Sequence, residues 1–380
     1  MVCIRLTQAI RMKIFQVINV RWFNATAWYA LTLSRLLADA GHEVMVLTQA
    51  DTQSEETARK MGLTTVSVDL NTTNPVRFVG AAKHIIQLLK THRPDIVNCH
   101  RGEGFFLWGL LKLFGFGYRL VRTRGDQRPP RSDTVNRWLH AGVADAVVVT
   151  NRRMADYFLR KMRTPGHGLW LIHGGVDTKK FGFDPQGRER VRKEFGFGPD
   201  DLVVGLLGRF DRVKGHKELI EAVAALQKRG RTNLKLFLIG FDTAMTASEI
   251  EADIQKNGVK AITRISGKRD DVGACISALD IGVVASLWSE AIARSALEIM
   301  AADRPLISTD VGVMPDLTAP PVLVQPEDAK GLADAIAKLA DDTALREEVL
   351  AAQKRTMSQL TLEEFLKRTL NLYKSLIDQA

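Results

Sequence analysis

Two glutamates, Glu290 and Glu298, stand in the stretch SEAIARSALE, just after the apolar run IGVVAS. Carboxylates accept from vicinal hydroxyls through both oxygens, which suits a sugar or a ribose diol. The residues between them, with Ala291, Ile292 and Ala293 first, are mostly small and leave room for a ligand against the backbone. Upstream, LLGRFDRVKGH places Gly208 and Arg209 at the end of an apolar run and Lys214 ahead of a helical pattern. Two cations at a strand end beside a helix N-terminus make a site for a diphosphate. The spacing is not that of a P-loop. A third segment, ISGKRDD, sets Gly267, Lys268 and Arg269 after another apolar run, where backbone groups could read a base. Each feature has a plain alternative: a solvated basic turn, two ordinary helix glutamates, and a helix cap at Asp270 or Asp271.

The elements that must hold these residues alternate in type. Short apolar runs without strict alternation, at 13–20, 42–49, 64–70, 95–100, 119–124 and 144–150, are separated by helical patterns at 26–41, 75–94 and 152–162. That pattern predicts a parallel sheet covered on both faces. After 181–201, rich in Gly, Asp and Pro and read as a connection, the pattern restarts. Strands are expected at 202–210, 234–240, 261–266, 281–286, 305–309 and 321–324. Helices are expected at 215–230, 246–257, 271–279, 327–340, 343–356 and roughly 361–378. The reading is α/β: two Rossmann-like doubly wound domains facing a central cleft, where ligands bind at the loops after the strands. The first domain is expected at 12–180 and the second at 181–358, with 359–380 as a helix packing back on the first.

A chain of 380 residues is long enough for two domains with separate cores. Hydrophobic residues at 46% and charged ones at 25% are ordinary globular composition. Three scattered cysteines exclude a disulfide framework and argue for a reducing compartment. No apolar run is long enough to span a membrane. The N-terminus lacks a secretory h-region. Residues 1–11 are expected to be a loosely held extension before a start at Met12. The net charge of +10 is either a solvated basic surface or an attraction to anionic partners. No nucleic-acid signature accompanies it.

The segment 118–138 is dense in arginine, including Arg122, Arg124 and Arg128, and Pro129–Pro130 favours an extended exposed loop. It is read as an acceptor loop for an anionic glycolipid or a phosphorylated sugar, against a merely solvated loop. The stretch 104–118 is too short and too interrupted by glycine to span a membrane and is read as a buried helix. His100 ends a strand, where a structural role is the default.

Taken together, GRFDRVKG, ISG, ALDIGVVASLWSE, the E-x7-E pair and RPLISTDVGVMPDL resemble the GT-B retaining glycosyltransferases of family 4, lipopolysaccharide-core type. GHEVMVLT, RPDIVNCH and GGVDTKKF in the first half resemble them too. The resemblance implies that Arg209 and Lys214 hold the donor diphosphate, with Gly208, Gly267, Lys268, Arg269, Ala291, Ile292 and Ala293 lining its site. Glu290 would contact the donor sugar and Glu298 the ribose. His100 would sit by the reacting carbon or the acceptor. It also implies front-face attack with retention and a nucleotide-diphosphate sugar as donor substrate rather than a bound cofactor. No D-x-D occurs, so no metal is expected. Where the family usually has Gly-Phe after the first glutamate, this chain has Ala291–Ile292. Where the family's first loop has paired glycines, it has Asn24, Ala25 and Thr26, of which Asn24 tolerates left-handed backbone; Asn24 and Thr26 are placed on the acceptor side.

The expected function is a cytoplasmic transferase moving sugar from a nucleotide-diphosphate donor onto a cell-envelope glycan or glycolipid, lipopolysaccharide core first among them, with peripheral contact at the anionic inner-membrane face left open. The alternatives are a nucleotide-sugar epimerase of the same fold and a non-catalytic sugar-nucleotide binder. Intact Arg209, Lys214, Glu290 and Glu298 argue against lost catalysis.

Overall fold

The computed structural model describes residues 11–126 and 128–378. The expected extension at 1–11, with Cys3, lies outside them but for Arg11. The chain forms two compact units, one running to His173 and resuming at Leu366, the other spanning Gly174–Phe365. The division thus falls a few residues before 181, and the return to the first unit a few after 359.

The first unit holds strands β1 (Lys13–Ile18), β2 (Glu43–Thr48), β3 (Thr64–Ser67), β4 (Ile96–Cys99), β5 (Arg119–Arg124), β6 (Ala146–Val149) and β7 (Leu169–Leu171). They pair in the order β3-β2-β1-β4-β5-β6-β7, parallel throughout. The second unit holds β8 (Leu202–Leu207), β9 (Leu234–Ile239), β10 (Thr263–Ile265), β11 (Ile281–Val284), β12 (Leu306–Thr309) and β13 (Leu323–Val324). Their order is β10-β9-β8-β11-β12-β13, again parallel. Both faces of each sheet are covered, which is why β6 and β11 are buried at every position. The order reverses between β1 and β4 in one sheet and between β8 and β11 in the other, and crevices open at such switch points.

The segment 181–201 is not a connection. Asp184 caps a helix, Pro185–Phe195, by accepting from the Gly187 amide at 2.8 Å, and Gly196 closes it with φ of 70°. Proline at the first turn and glycine just past the end are ordinary helix boundaries. Arg188 and Arg192 from this helix pair with Asp280 at 2.6 and 3.2 Å, so it belongs to the body of the second unit. The final helix, Leu362–Asp378, sends Tyr373 into the first unit's core, where its hydroxyl accepts from Asn98 at 2.9 Å and from Gln16 at 3.3 Å. Among the described residues no helix is long and apolar enough to cross a membrane.

Candidate active site

The β8/β11 switch point of the second unit gathers most of the donor-site residues singled out by sequence. Beyond β8, the stem of Lys214 runs alongside Gly208. Asp211 accepts from the Val213 amide at 3.1 Å and closes a single 3₁₀ turn, Arg212–Lys214. Gly215 follows with φ of 71°, and a Cβ there would run into the Ala285 carbonyl oxygen. The glycine therefore lets this loop lie on the end of β11. Leu287 N–H donates to the Val213 carbonyl at 2.9 Å and fixes that contact.

This packing brings Lys214 Nζ onto Glu290 Oε1, which also accepts from Ser286 Oγ at 2.5 Å. Glu290 is 5% exposed. Its carbonyl accepts from Val313 N–H at 2.8 Å, and Gly312, with φ of 55°, keeps that approach open. Glu290 is thus gripped from the β11 side and from the loop after β12. Arg209, half-exposed, is oriented by Asp211 through contacts of 2.8 and 3.1 Å.

Ala291, Ile292 and Ala293 are buried, and Ala293 adopts φ of 52° at the start of the helix Arg294–Ala301. That left-handed conformation is costly for a residue with a Cβ. Glu298 lies on this helix, 3% exposed, and pairs with Arg294 at 2.6 Å. Burial raises its pKa, opposed by Arg294 and Lys180.

The third loop does less than expected. Lys268 is exposed, and Gly267 has φ of 68° with open space where a Cβ would stand. Arg269 is committed to Glu194 at 2.6 and 3.0 Å and to Asp271 at 2.8 and 3.0 Å, and it covers the Phe195 ring. It ties the loop to the helix Pro185–Phe195 rather than facing a ligand. Asp271 stands at the start of the next helix without capping it through its side chain.

In the first unit the expected acceptor residues are buried or engaged. Asn24 is extended rather than left-handed, with φ of −137°, and caps the first helix by accepting from Ala27 N–H at 3.1 Å. Thr26 is buried and donates to the Gly125 carbonyl at 2.9 Å. Arg122 and Arg124 are not on an exposed loop. They end β5, at 0% and 6% exposure, and only Arg128 of the three is exposed. His100 is wholly buried, and its Nε2 donates to Gln16 Oε1 at 2.6 Å. Burial, aided by Arg122, pushes its pKa down to about 3, which keeps the ring uncharged at neutral pH.

Two family models match this chain: Glycosyltransferase Family 4 over residues 26–180 and Glycosyl transferases group 1 over 187–356. The chain belongs to the group 1, family 4 glycosyltransferases. The lipopolysaccharide core biosynthesis mannosyltransferase LpsB of Rhizobium meliloti (strain 1021) is 27% identical over 245 residues, 61% of this chain and 66% of the relative. The D-inositol 3-phosphate glycosyltransferase of Corynebacterium jeikeium (strain K411) is 28% identical over 233 residues, 58% of this chain and 55% of the relative. The chain spans 55–66% of the length of these curated relatives. Among solved structures, Anabaena HepE in complex with UDP and glucose superposes with a TM-score of 0.80 at 17% identity, covering 96% of this chain and 100% of HepE. The fold is GT-B.

Several residues of the candidate site had no motif to announce them. Ser286 and Asp211 orient Glu290 and Arg209. Gln16, Asn98 and Tyr373 form the buried network that ends on His100. The signal for Asn98 and Gln16 was a polar residue inside an otherwise apolar buried strand.

Proposed function

We propose that this chain is a retaining glycosyltransferase that takes a sugar from a nucleotide-diphosphate donor bound at the β8/β11 switch point. The observation that carries this reading is the Lys214–Glu290–Ser286 cluster, with Arg209 beside it on the same loop system. Lys214 and Arg209 supply charge for the departing diphosphate, where oriented cations stabilise the transition state more than the ground state. Glu290 faces the donor sugar's hydroxyls and Glu298 the ribose. The donor phosphate competes with Glu290 for Lys214, so the pair present without donor is a resting neutralisation. Attack comes from the face the diphosphate leaves, and a phosphate oxygen takes the acceptor's proton.

For the acceptor we favour a cell-envelope glycan or glycolipid, with lipopolysaccharide core as the finer reading. The relative LpsB supports it. The net charge of +10 and the buried free thiols of Cys99 and Cys275 fit work in the cytoplasm against an anionic membrane face.

Calorimetric titration of UDP, GDP and ADP tests the site, followed by assay with the matching sugar donor. Lys214→Ala is expected to weaken nucleotide binding at least tenfold. Glu290→Ala is expected to cut kcat by about 10²–10³ while sparing nucleotide affinity. Failure of all three nucleotides to bind overturns the reading.

A further inference from the structure

The C-terminal ends of β4 and β5 hold a charge excess that the donor site leaves unexplained. Alternation along β5 puts Arg122 and Arg124 on one face, while Thr123 between them donates to Asn98 on the other. Three guanidiniums gather here, from Arg101, Arg122 and Arg124, with two carboxylates, Glu103 and Asp126. Each carboxylate is already claimed. Glu103 takes Arg101 through two contacts, 2.8 and 3.2 Å. Asp126 takes Arg124 at 2.6 Å. Arg122 is left over, the most deeply buried of the three. A buried cation without a close counter-charge is costly.

How Arg122 is held says what it lacks. Its Nη1 donates to the carbonyl oxygens of Cys99 at 2.8 Å and Thr123 at 2.5 Å, and its plane lies by the Phe105 ring, 5.5 Å from the centroid. Those contacts fix one end of the guanidinium. Its other edge, Nε and Nη2, has no hydrogen-bond partner among the described residues. Asp126 approaches Nη2 only to 4.0 Å, beyond hydrogen-bond length. Arg124 Nε is likewise buried and unpartnered. The Nε/Nη2 edge is the fork that grips a carboxylate or phosphate through two parallel bonds. Burial and the neighbouring Arg124 depress Arg122 to about 9, the condition an anion would reverse.

We propose that Arg122 and Arg124, with Arg101 at the rim, form a recess for an oxyanion carried by the acceptor, a phosphate ester or a sugar carboxylate. This rests on the transferase reading and narrows its acceptor to an anionic one. Arg122 supplies the fixed fork, Arg124 the second donor, and the Arg101–Glu103 pair can open to close over the ligand. The arginines that the sequence places on an exposed acceptor loop are instead an interior anchor.

The test separates this recess from the diphosphate site. Protein saturated with the nucleoside diphosphate found above is titrated with inorganic phosphate, with glucuronate and with chloride as control, following the melting temperature and the arginine Nε–H resonances. Phosphate or glucuronate is expected to raise the melting temperature where chloride does not, and whichever acts identifies the oxyanion. Arg124→Gln is expected to weaken that binding at least tenfold with nucleotide affinity unchanged, and Arg122→Lys to do the same. If Arg122→Lys does not fold, Arg124→Gln decides. No response to either anion, or equal binding by both variants, overturns the proposal. Intact nucleotide binding in that case leaves the transferase reading standing.

Discussion

The two switch points of this molecule are built from opposite materials. In the second unit the crevice is lined by ion pairs: Lys214 with Glu290 across two neighbouring loops, and Arg209 with Asp211 within one. In the first unit the corresponding strand ends carry a neutral buried network, His100–Gln16–Tyr373–Asn98–Thr123, flanked by an arginine with one edge free of hydrogen bonds among the described residues. Exchangeable pairs suit a site that must accept and release a charged donor, because a phosphate can replace the carboxylate at little net change. A neutral network is rigid and cannot be traded, so it locks the last helix onto its sheet. The difference separates a part that handles charge from a part that holds geometry.

The contrast can be broken most strongly at Gly215. Alanine there must keep φ of 71° and meets the Ala285 carbonyl, so the loop carrying Lys214 must lift from β11. A loss of roughly 2–4 kcal/mol is expected in chemical denaturation. Nucleotide affinity should fall with it, and a variant of wild-type stability and affinity would show that the two loops do not depend on this approach.

Acid tests the first unit. Burial depresses His42, His100 (to about 3) and His140 (to about 4), while the second unit has His216 (to about 4). An imidazole depressed in the folded state contributes stability that is whole above its unfolded pKa of about 6.5 and is lost as pH falls toward the folded value. His100, His140 and His216 each contribute a slope of up to about 1.4 kcal/mol per pH unit between roughly pH 6 and 4. His100→Gln should flatten the stability profile in that window, and an unchanged slope would mean that the ring is not held neutral.

The smallest effect is expected at Ala293. Its left-handed backbone favours glycine, so Ala293→Gly should stabilise the second unit by about 1 kcal/mol. A lower melting temperature would mean that the buried methyl group contributes more than the strained backbone costs.

Much of this was readable beforehand where the cause is local. The β/α alternation, the loop Gly208–Gly215 and the two glutamates follow from periodicity, turn chemistry and spacing. The helix Pro185–Phe195 had its cap, its first-turn proline and its closing glycine in the sequence, yet its abundance of polar residues reads as a connection until Arg188 and Arg192 meet Asp280. The arginines of β5 mislead for a related reason. Dense arginine ahead of Pro129–Pro130 suggests an exposed loop, whereas Arg122 and Arg124 lie in β5, which pairs on both sides, with β4 and β6.

The sequence by itself determined which segments become strands and helices and which loops carry charge at the strand ends, because those properties depend on neighbours a few residues away. Only the tertiary structure decided that Lys214 finds Glu290, that Tyr373 reaches Gln16 and Asn98, and that Arg122 is buried with one edge unpartnered. Those contacts join residues far apart in the chain, and burial is a property of the packed whole that no single segment carries.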